Sequence, residues 1–520
     1  MQMFQWLLKI KHVSSFVTIL TLQAICFITQ AQNASQIDLE VIRLARQFQS
    51  GSARILGVGG AAVGLGADLS AVALNPAAAG MLQRTEAGFC TAAGFVNSSW
   101  EDLNQTDNML KPKLYLPQMG INIASPRHGK KYTRGYSVAI NFSRVADFQL
   151  QSNKVLEKNT GNSLVNSIIN STNGRTWEEL DEQSNGVTDV AGLAYFTYLI
   201  GPNRDSLSRD IYTTPLNSLR YDSREEVNHR GAQYAWNFAV GGEFADAIYY
   251  GFSVNLLTHR FIETRSFEEI YDKNDPVLTS FMLTETRKQR GVGVNASAGL
   301  IVKASRFMRL GASIVSPSYM QVSETYNAEM AVNYNSFRVI EFGQEVFLQE
   351  KKANIEPTRI GYNLVTPLRA SAGIAMLAGP YGFITLDAEW VDFSVLKLQN
   401  PSFKASFDAE NKKLANLYTQ TINLRAGAEA RIKNLRLRGG FAYFPDYLST
   451  PNADRSNERL VYSAGIGRRF PDRFWDIVGQ FYQENQSIYA YPRTGNSLSP
   501  VLKNVKASVF TLAVSYGFYF

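Results

Sequence analysis

Residues 507–520, ASVFTLAVSYGFYF, decide the fold: Phe510, Leu512, Val514, Tyr516, Phe518 and Phe520 alternate with Val509, Thr511, Ala513, Ser515, Gly517 and Tyr519. A period of two is a β-strand. One face suits lipid, and the other, mostly smaller, suits a crowded lumen. Residues 291–302 repeat the pattern, with Val292, Val294, Ala296, Ala298, Leu300 and Val302 set against Gly291, Gly293, Asn295, Ser297, Gly299 and Ile301. A soluble sandwich alternates in the same way, so the connections between strands must separate the two architectures.

Working outward from these segments, strands are expected over 84–95, 113–125, 136–148, 233–243, 248–259, 290–303, 308–316, 367–378, 382–393, 421–432, 435–444, 460–470, 474–482 and 507–520. Very short connections, such as Ala245-Asp246-Ala247, Lys433-Asn434 and Pro471-Asp472-Arg473, alternate with long polar ones over 149–232 and 319–366. An even set of about 14 strands, short turns on one side and long loops on the other is the pattern of a transmembrane antiparallel β-barrel, all-β in class. The long loops would then lie outside, and residues 187–200 would fold back as a hairpin within the 149–232 loop, the second on that side. No apolar run beyond the N-terminus reaches the roughly 20 residues that a membrane-spanning helix needs.

Before the first strand comes a stretch of another character, residues 51–80, GSARILGVGGAAVGLGADLSAVALNPAAAG, rich in Gly, Ala and short aliphatics. Small side chains let backbone pack on backbone, Gly permits positive φ, and Pro76 fixes φ in a tight Asn75-Pro76-Ala77 turn. This reads as a compact hatch, or plug, for the barrel. Residues 38–49 ahead of it carry apolar positions at helical spacing and predict a short amphipathic helix.

At the N-terminus, Lys9 and Lys11 flank a short apolar run that ends in Thr29-Gln30-Ala31, the form of a secretory signal peptide cleaved after Ala31. The organisation is therefore signal peptide 1–31, hatch 32–83 and barrel 84–520, with the long loops extracellular. Cleavage removes Cys26 and leaves Cys90 alone, so no intrachain disulfide is available.

The formal net charge of +7 on 520 residues, with no Lys/Arg block, argues against nucleic acid. Gly57-x-Gly59-x-x-Ala62 formally matches a dinucleotide fingerprint but lacks the βαβ context that gives it meaning. His128, His229 and His259 are not at metal-ligand spacing. Glu268, Glu269, Asp272 and Asp275 read as a solvated loop face, with calcium the alternative. No catalytic residue, cofactor or metal is expected, and the chain is not expected to be an enzyme.

Charges inside strands say more. With apolar residues facing lipid, Arg369, Asp387, Glu389, Arg425, Glu429, Arg431, Arg436 and Arg438 point inward. A charge on the lipid face at mid-depth costs about 2–4 kcal/mol, so these groups must face the lumen and pair there. They would stiffen the wall and hold the plug, or in part receive the polar head of an amphipathic ligand.

The chain resembles the FadL family of outer-membrane transporters for long-chain fatty acids and other hydrophobic compounds. Gly51-Ser52-Ala53-Arg54, the Gly57 to Gly60 run, Asp68-Leu69-Ser70 and above all Asn75-Pro76-Ala77 resemble its hatch. Thr366-Pro367-Leu368-Arg369, Asp387-x-Glu389, Arg425-Ala426-Gly427-Ala428-Glu429 and the terminal Phe520 resemble its barrel. The resemblance implies passive, hatch-gated transport, with Gly57, Gly59, Gly60, Asn75, Pro76 and Ala77 in the gate, and ligand exit through a wall gap near the third strand. Phe518 and Phe520 resemble the signal read by the barrel assembly machinery.

The expected location is the outer membrane of a Gram-negative bacterium. The expected partners are a hydrophobic small-molecule ligand, outer-membrane lipid, lipopolysaccharide and that machinery, for a monomer. Two alternatives remain. One is a scaffold or cargo-binding barrel, like the FadL-related subunit of the type IX secretion machinery. The other, more distant, is an enzyme of the outer-membrane phospholipase kind.

Overall fold

The computed structural model describes residues 37–520 except 49, 101–105, 108–112, 126–132, 160–162, 181–186, 204–209, 217–219, 273–274, 342, 401–406, 451–456 and 491–500. The expected signal peptide, with Cys26, lies outside the described residues, as does His128.

Fourteen antiparallel strands close into a barrel. They are β1 (Glu86–Trp100), β2 (Lys113–Ala124), β3 (Thr133–Asp147), β4 (Tyr221–Phe244), β5 (Ile248–Tyr271), β6 (Leu278–Ser305), β7 (Met308–Val315), β8 (Arg369–Leu377), β9 (Gly382–Asp392), β10 (Gln420–Ile432), β11 (Leu435–Phe444), β12 (Arg459–Arg469), β13 (Arg473–Ala490) and β14 (Val501–Tyr519). Each strand expected from the sequence overlaps one of these. β14 returns to β1 in unbroken register from Glu86 opposite Tyr519 to Trp100 opposite Val505, so the wall has no free edge there.

The alternation does what the terminal segment implies. Phe510, Leu512, Val514 and Phe518 are exposed, while Thr511, Ala513, Ser515 and Gly517 are buried. The same holds around the wall, where Phe238, Val240, Phe252, Val254, Leu300, Ile314, Ile374, Leu386 and Leu424 face out. So continuous an apolar band has no place in water and is matched by hydrocarbon. At the end with the short turns, Ala245 and Asp246 both take positive φ, the primed hairpin turn whose twist suits flanking strands.

At the other end the fold departs from expectation. β4, β5 and β6 run far beyond the apolar band, and residues 319–366 are not a loop. β7 continues after Pro317 as a strand Tyr319–Glu341, which pairs with β6 and with returning strands Gln344–Asn354 and Thr358–Val365. The last of these leads through Pro367 into β8. The two proline breaks are level with each other: Thr366 N–H donates to the Ser318 carbonyl at 3.0 Å, and Ser318 N–H to Thr366 Oγ1 at 3.0 Å. Above the band neither face needs to be apolar, so these extensions carry no lipid-facing pattern.

Residues 187–200, expected as a hairpin, hold a helix (Val190–Phe196). Asp189 caps it by accepting Gly192 N–H at 2.8 Å, and Ala and Leu inside it favour helix. Leu193 and Leu199 pack with Leu164 and Ile168 of a second helix (Leu164–Thr172) over Phe281 and Tyr334 of the wall. Glu269, expected on a solvated face, is buried instead: it accepts Ser163 Oγ–H at 2.6 Å, Leu164 N–H at 2.7 Å and Tyr271 Oη–H at 2.7 Å. It holds the start of that second helix to β5. Among the described residues no group of His, Cys, Asp and Glu could hold a metal ion.

Candidate functional site: the plugged lumen and a break in the wall

The N-terminal segment fills the barrel. α1 (Ile37–Ala45) leads to α2 (Ala53–Gly57), a 3-10 turn (Leu69–Ala73) and α3 (Ala77–Met81). Ser52 caps α2 by accepting Ile55 N–H, and its hydroxyl reaches Asp68 at 3.2 Å; Asp68 also accepts the Ser70 hydroxyl at 2.6 Å. These three side chains tie the beginning of the plug to its middle.

The plug touches the wall backbone to backbone. Gly59 has φ +63, and a Cβ there would lie 2.6 Å from both the amide nitrogen and the carbonyl oxygen of Phe441. From the other side, a Cβ at Gly427 would strike the Val58 carbonyl, and one at Gly440 the Gly59 amide. Gly57 sits less tightly, against Arg438 Cδ, and Gly60 takes φ +67. Gly291 and Gly293, also on the inner face, pack instead on neighbouring strand residues, Val322 and Met320.

Asn75 is fully buried and joins plug to wall. Its Nδ2 donates to the Val63 carbonyl at 2.9 Å and to the wall carbonyls of Leu300 and Ala312 at 3.3 Å each, while Oδ1 accepts Ala77 N–H at 3.1 Å. Pro76, with φ −63, precedes α3, whose Ala77, Ala78 and Ala79 are completely buried.

The inward charges form two separate clusters. In the first, Glu389 accepts from Arg369 and from Arg425, each at 2.8 Å, and from Asn423 at 3.1 Å; Arg369 also donates to the Ala45 carbonyl at the end of α1. In the second, Glu429 pairs with Arg438 and Arg431 at 2.8 Å each, and Arg438 with Asp476 at 2.6 Å. Among the described residues Asp387 makes no salt bridge with an arginine, although it stands opposite Arg425; it accepts Val63 N–H of the plug at 2.8 Å. Arg436 is not in the network. It sits beside the short turn at Lys433-Asn434 and donates to the carbonyls of Lys433 and Leu435 at 2.6 and 2.8 Å.

Several members escaped the sequence reading. Arg54 of the plug lies 3.6 Å from Asp68 and 3.9 Å from Glu429. Arg469 pairs with Asp476 at 3.0 Å, and Arg287 with Glu40 of α1 at 2.5 Å and with Glu324 at 3.1 Å. Arg459 pairs with Glu484 and lies 3.5 Å over the Phe48 ring. These partners come from plug and wall or from distant strands, which no spacing within one segment reveals.

The wall is broken between β2 and β3. Their ladder runs from Ala124 opposite Ser137 to Gln118 opposite Ser143 and stops there. Above that point β3 stays with β4, Arg144 opposite Tyr234 and Asp147 opposite Ala232, while β2 stays with β1, after a register shift, at Ala92 opposite Tyr115. Pro117 lies at the fork and has no N–H to extend the ladder.

Phe48 and Ser50, between α1 and α2, reach the two lips of this fork from within. Phe48 N–H donates to the Val145 carbonyl at 2.6 Å, and the Ser50 hydroxyl to the Pro117 carbonyl at 2.8 Å. Behind this strap is a cavity of about 80 Å³, bordered by Phe48, Tyr115, Phe444 and Tyr482 together with Arg144 and Arg459. One water needs about 10–15 Å³ on this kind of measure, so there is room for a small organic group. Arg144 is buried, stacks 4.3 Å from the Tyr115 ring, and gives one nitrogen to Asp147 at 2.7 Å. Its Nε and Nη1 are buried without a hydrogen-bond partner among the described residues.

Fold and site together define a membrane-spanning barrel closed by its own N-terminal segment. No family model matches the chain, and no curated protein matches its sequence. Among solved structures it is similar to a FadL homologue of Pseudomonas aeruginosa, at 11% identity and TM-score 0.49 over 91% of this chain and 99% of that one. It is similar to the Pseudomonas putida toluene transporter TodX, at 11% identity and TM-score 0.49 over 91% and 99%. For the Ralstonia pickettii toluene transporter TbuX the values are 15%, 0.46, 91% and 98%.

Proposed function

We propose that the protein is an outer-membrane channel for hydrophobic and amphipathic small molecules, of the long-chain fatty acid kind, in a Gram-negative bacterium. In this reading the hatch over 32–83 blocks straight diffusion through the lumen. Ligand enters from the side of the long strand extensions, passes beside the hatch and leaves laterally between β2 and β3. The observation that carries the reading is the cavity behind the fork, where the aromatic rings of Phe48, Tyr115 and Phe444 meet two unpartnered donors of a buried Arg144. An apolar body against the rings and an anionic head on one of these Arg144 donors would suit the cavity, because a charge-assisted hydrogen bond to a guanidinium is strong.

The gate has two parts. The turn at Asn75, Pro76 and Ala77 and the glycines Gly57, Gly59 and Gly60 seat the hatch, and the strap at Phe48 and Ser50 closes the fork. Movement needs no energy source beyond the ligand gradient and the membrane that receives it.

The test is flux into liposomes carrying the purified barrel, with a long-chain carboxylate and an uncharged aromatic hydrocarbon as probes. The expected result is protein-dependent uptake of both, with Arg144→Ala slowing the carboxylate more than the hydrocarbon. Flux equal to protein-free liposomes for both probes, with stable co-purification of secreted protein cargo, would replace this reading with that of a scaffold barrel.

A further inference from the structure

A second feature, on the outside of the barrel, takes no part in passage through the lumen. In the wall made by β4, β5, β6 and the strands Tyr319–Glu341 and Thr358–Val365, outward positions follow one another in rows that the registers define. One row reads Trp236, Leu256, Val294, Tyr319 and Val365, the upper edge of the apolar band with its aromatic residues. The next row up, Tyr234, Thr258, Val292, Gln321 and Asn363, is mixed.

Above it the chemistry changes at once. Arg260 of β5 stands directly opposite Arg290 of β6, both exposed. In the row after that come Arg230, Lys288 and Arg359, also exposed. None of these rows contains a carboxylate, and among the described residues none of the five cations makes a salt bridge. Like charges directly opposite each other on adjacent strands destabilise a sheet. The wall here is also recessed: Arg260, Arg290, Gln321, Ser323, Asn363 and Asn400 border a groove of about 840 Å³. The groove opens at the level of the charged rows.

We infer that this groove binds the phosphorylated headgroup of an outer-leaflet lipid, its acyl chains lying on the apolar rows below. Three observations favour a lipid over a soluble protein or nucleic acid. The cations begin four residues beyond Leu256 and Val294, with one mixed row between, so they lie where headgroups meet hydrocarbon. The groove is continuous with the lipid-facing band. The paired arginines, with the amides of Gln321 and Asn363, offer several donors to one phosphate, which arginine recognises bidentately. The bound phosphate would relieve the repulsion between Arg260 and Arg290, so the protein would hold this lipid as a structural partner at one place on its perimeter.

The inference rests on the reading of the chain as a membrane barrel, and barrel formation is scored separately, by heat-modifiable mobility in gels. The experiment titrates the barrel in neutral detergent with a diphosphorylated lipid A-type glycolipid and counts bound lipid by native mass spectrometry. The dephosphorylated glycolipid and inorganic phosphate are the comparison probes. The variants are R260A/R290A and, on the far wall, R468A as a control for loss of exposed charge. The expected result is one tightly held phosphorylated lipid on the parent and on R468A, with affinity reduced about tenfold or more in R260A/R290A, in line with the attraction of each basic residue near an anionic lipid surface. The dephosphorylated lipid should bind weakly to all three. Equal binding to parent and double variant, equal binding of the dephosphorylated lipid, or full displacement by millimolar inorganic phosphate would each overturn the inference, provided that the barrel has formed.

Discussion

The Ser50 hydroxyl donates to the Pro117 carbonyl at 2.8 Å, so the one proline that ends the β2–β3 ladder is held by the segment that leads into the plug. Phe48, two residues earlier, bonds the other lip of the fork at Val145. Beyond Gln118 and Ser143 the lips share no ladder pairing; the strap bonds both, and Arg144 stacks on Tyr115 across them. In the proposed reading, movement of that segment would therefore be coupled to opening of the wall.

If the strap is the lateral gate, fixing it should stop transport. In a Cys90→Ser background, Phe48→Cys with Val145→Cys should form a disulfide under oxidation, because the two backbones already touch. Uptake of a hydrophobic probe should fall severalfold on oxidation and return on reduction. Undiminished uptake with the bond fully formed, measured by mass spectrometry, would show that ligand leaves by another route.

The charged wall makes a prediction about coupling. Glu389 is shared by Arg369 and Arg425, so Glu389→Ala leaves two buried cations without their acid, and removing one partner of a buried pair costs about 3–5 kcal/mol. Arg425→Ala should cost less, since Arg369 remains with Glu389. Because these groups touch, the double variant should depart from additivity, whereas Arg425→Ala combined with Glu429→Ala, in different clusters, should be additive. Denaturant unfolding of the refolded barrel measures both cycles. Additivity in the first would mean that the pairs contribute nothing.

These two cases show what the sequence could and could not yield. Arg369, Glu389 and Arg425 were legible because a charge in a strand with a lipid face has only one direction to turn. Parity gives a face but not a height: Arg436 shares the inward parity of Arg438, yet it lies so near the turn that it reaches the Lys433 carbonyl instead. Pro117 lies inside the expected strand 113–125 without marking it, and nothing in the sequence tells that the ladder fails to resume beyond it. The strand extensions from Tyr221 and to Tyr271 were hidden, since above the membrane their outward residues are as polar as a loop's.

The chain terminus offers a test of assembly. Phe518 and Phe520 face outward, and Phe520 N–H donates to the Thr85 carbonyl at 2.8 Å, just where β1 begins. Deleting Phe520 removes both the terminal aromatic and a bond at the seam. Most of the protein should then accumulate unfolded in the periplasm, seen as loss of the heat-modifiable band. Normal mobility and normal surface levels would separate this residue from assembly.

The last prediction concerns the seat of the hatch. Asn75 uses one amide to bind Val63 within the plug and Leu300 and Ala312 in the wall, and its oxygen holds Ala77 N–H. A buried amide that loses its partners leaves those carbonyls unsatisfied, at about 1–3 kcal/mol each, although any that water reaches recovers most of this. Asn75→Ala should therefore loosen the hatch without unfolding a barrel whose ladders are untouched. Ala77→Trp acts differently, since Gly251 lies so close to Pro76 and Ala77 that no bulk can enter without displacing α3 from the wall. If seating the hatch only guides folding, both variants should reach the surface in reduced amounts and transport normally per molecule. If the turn belongs to the gate, both should reach the surface and differ from the parent in uptake, with Ala77→Trp the more strongly altered. The measurement is uptake of a long-chain carboxylate at matched surface levels, and rates equal to the parent in both variants would remove Asn75 and Ala77 from the gate.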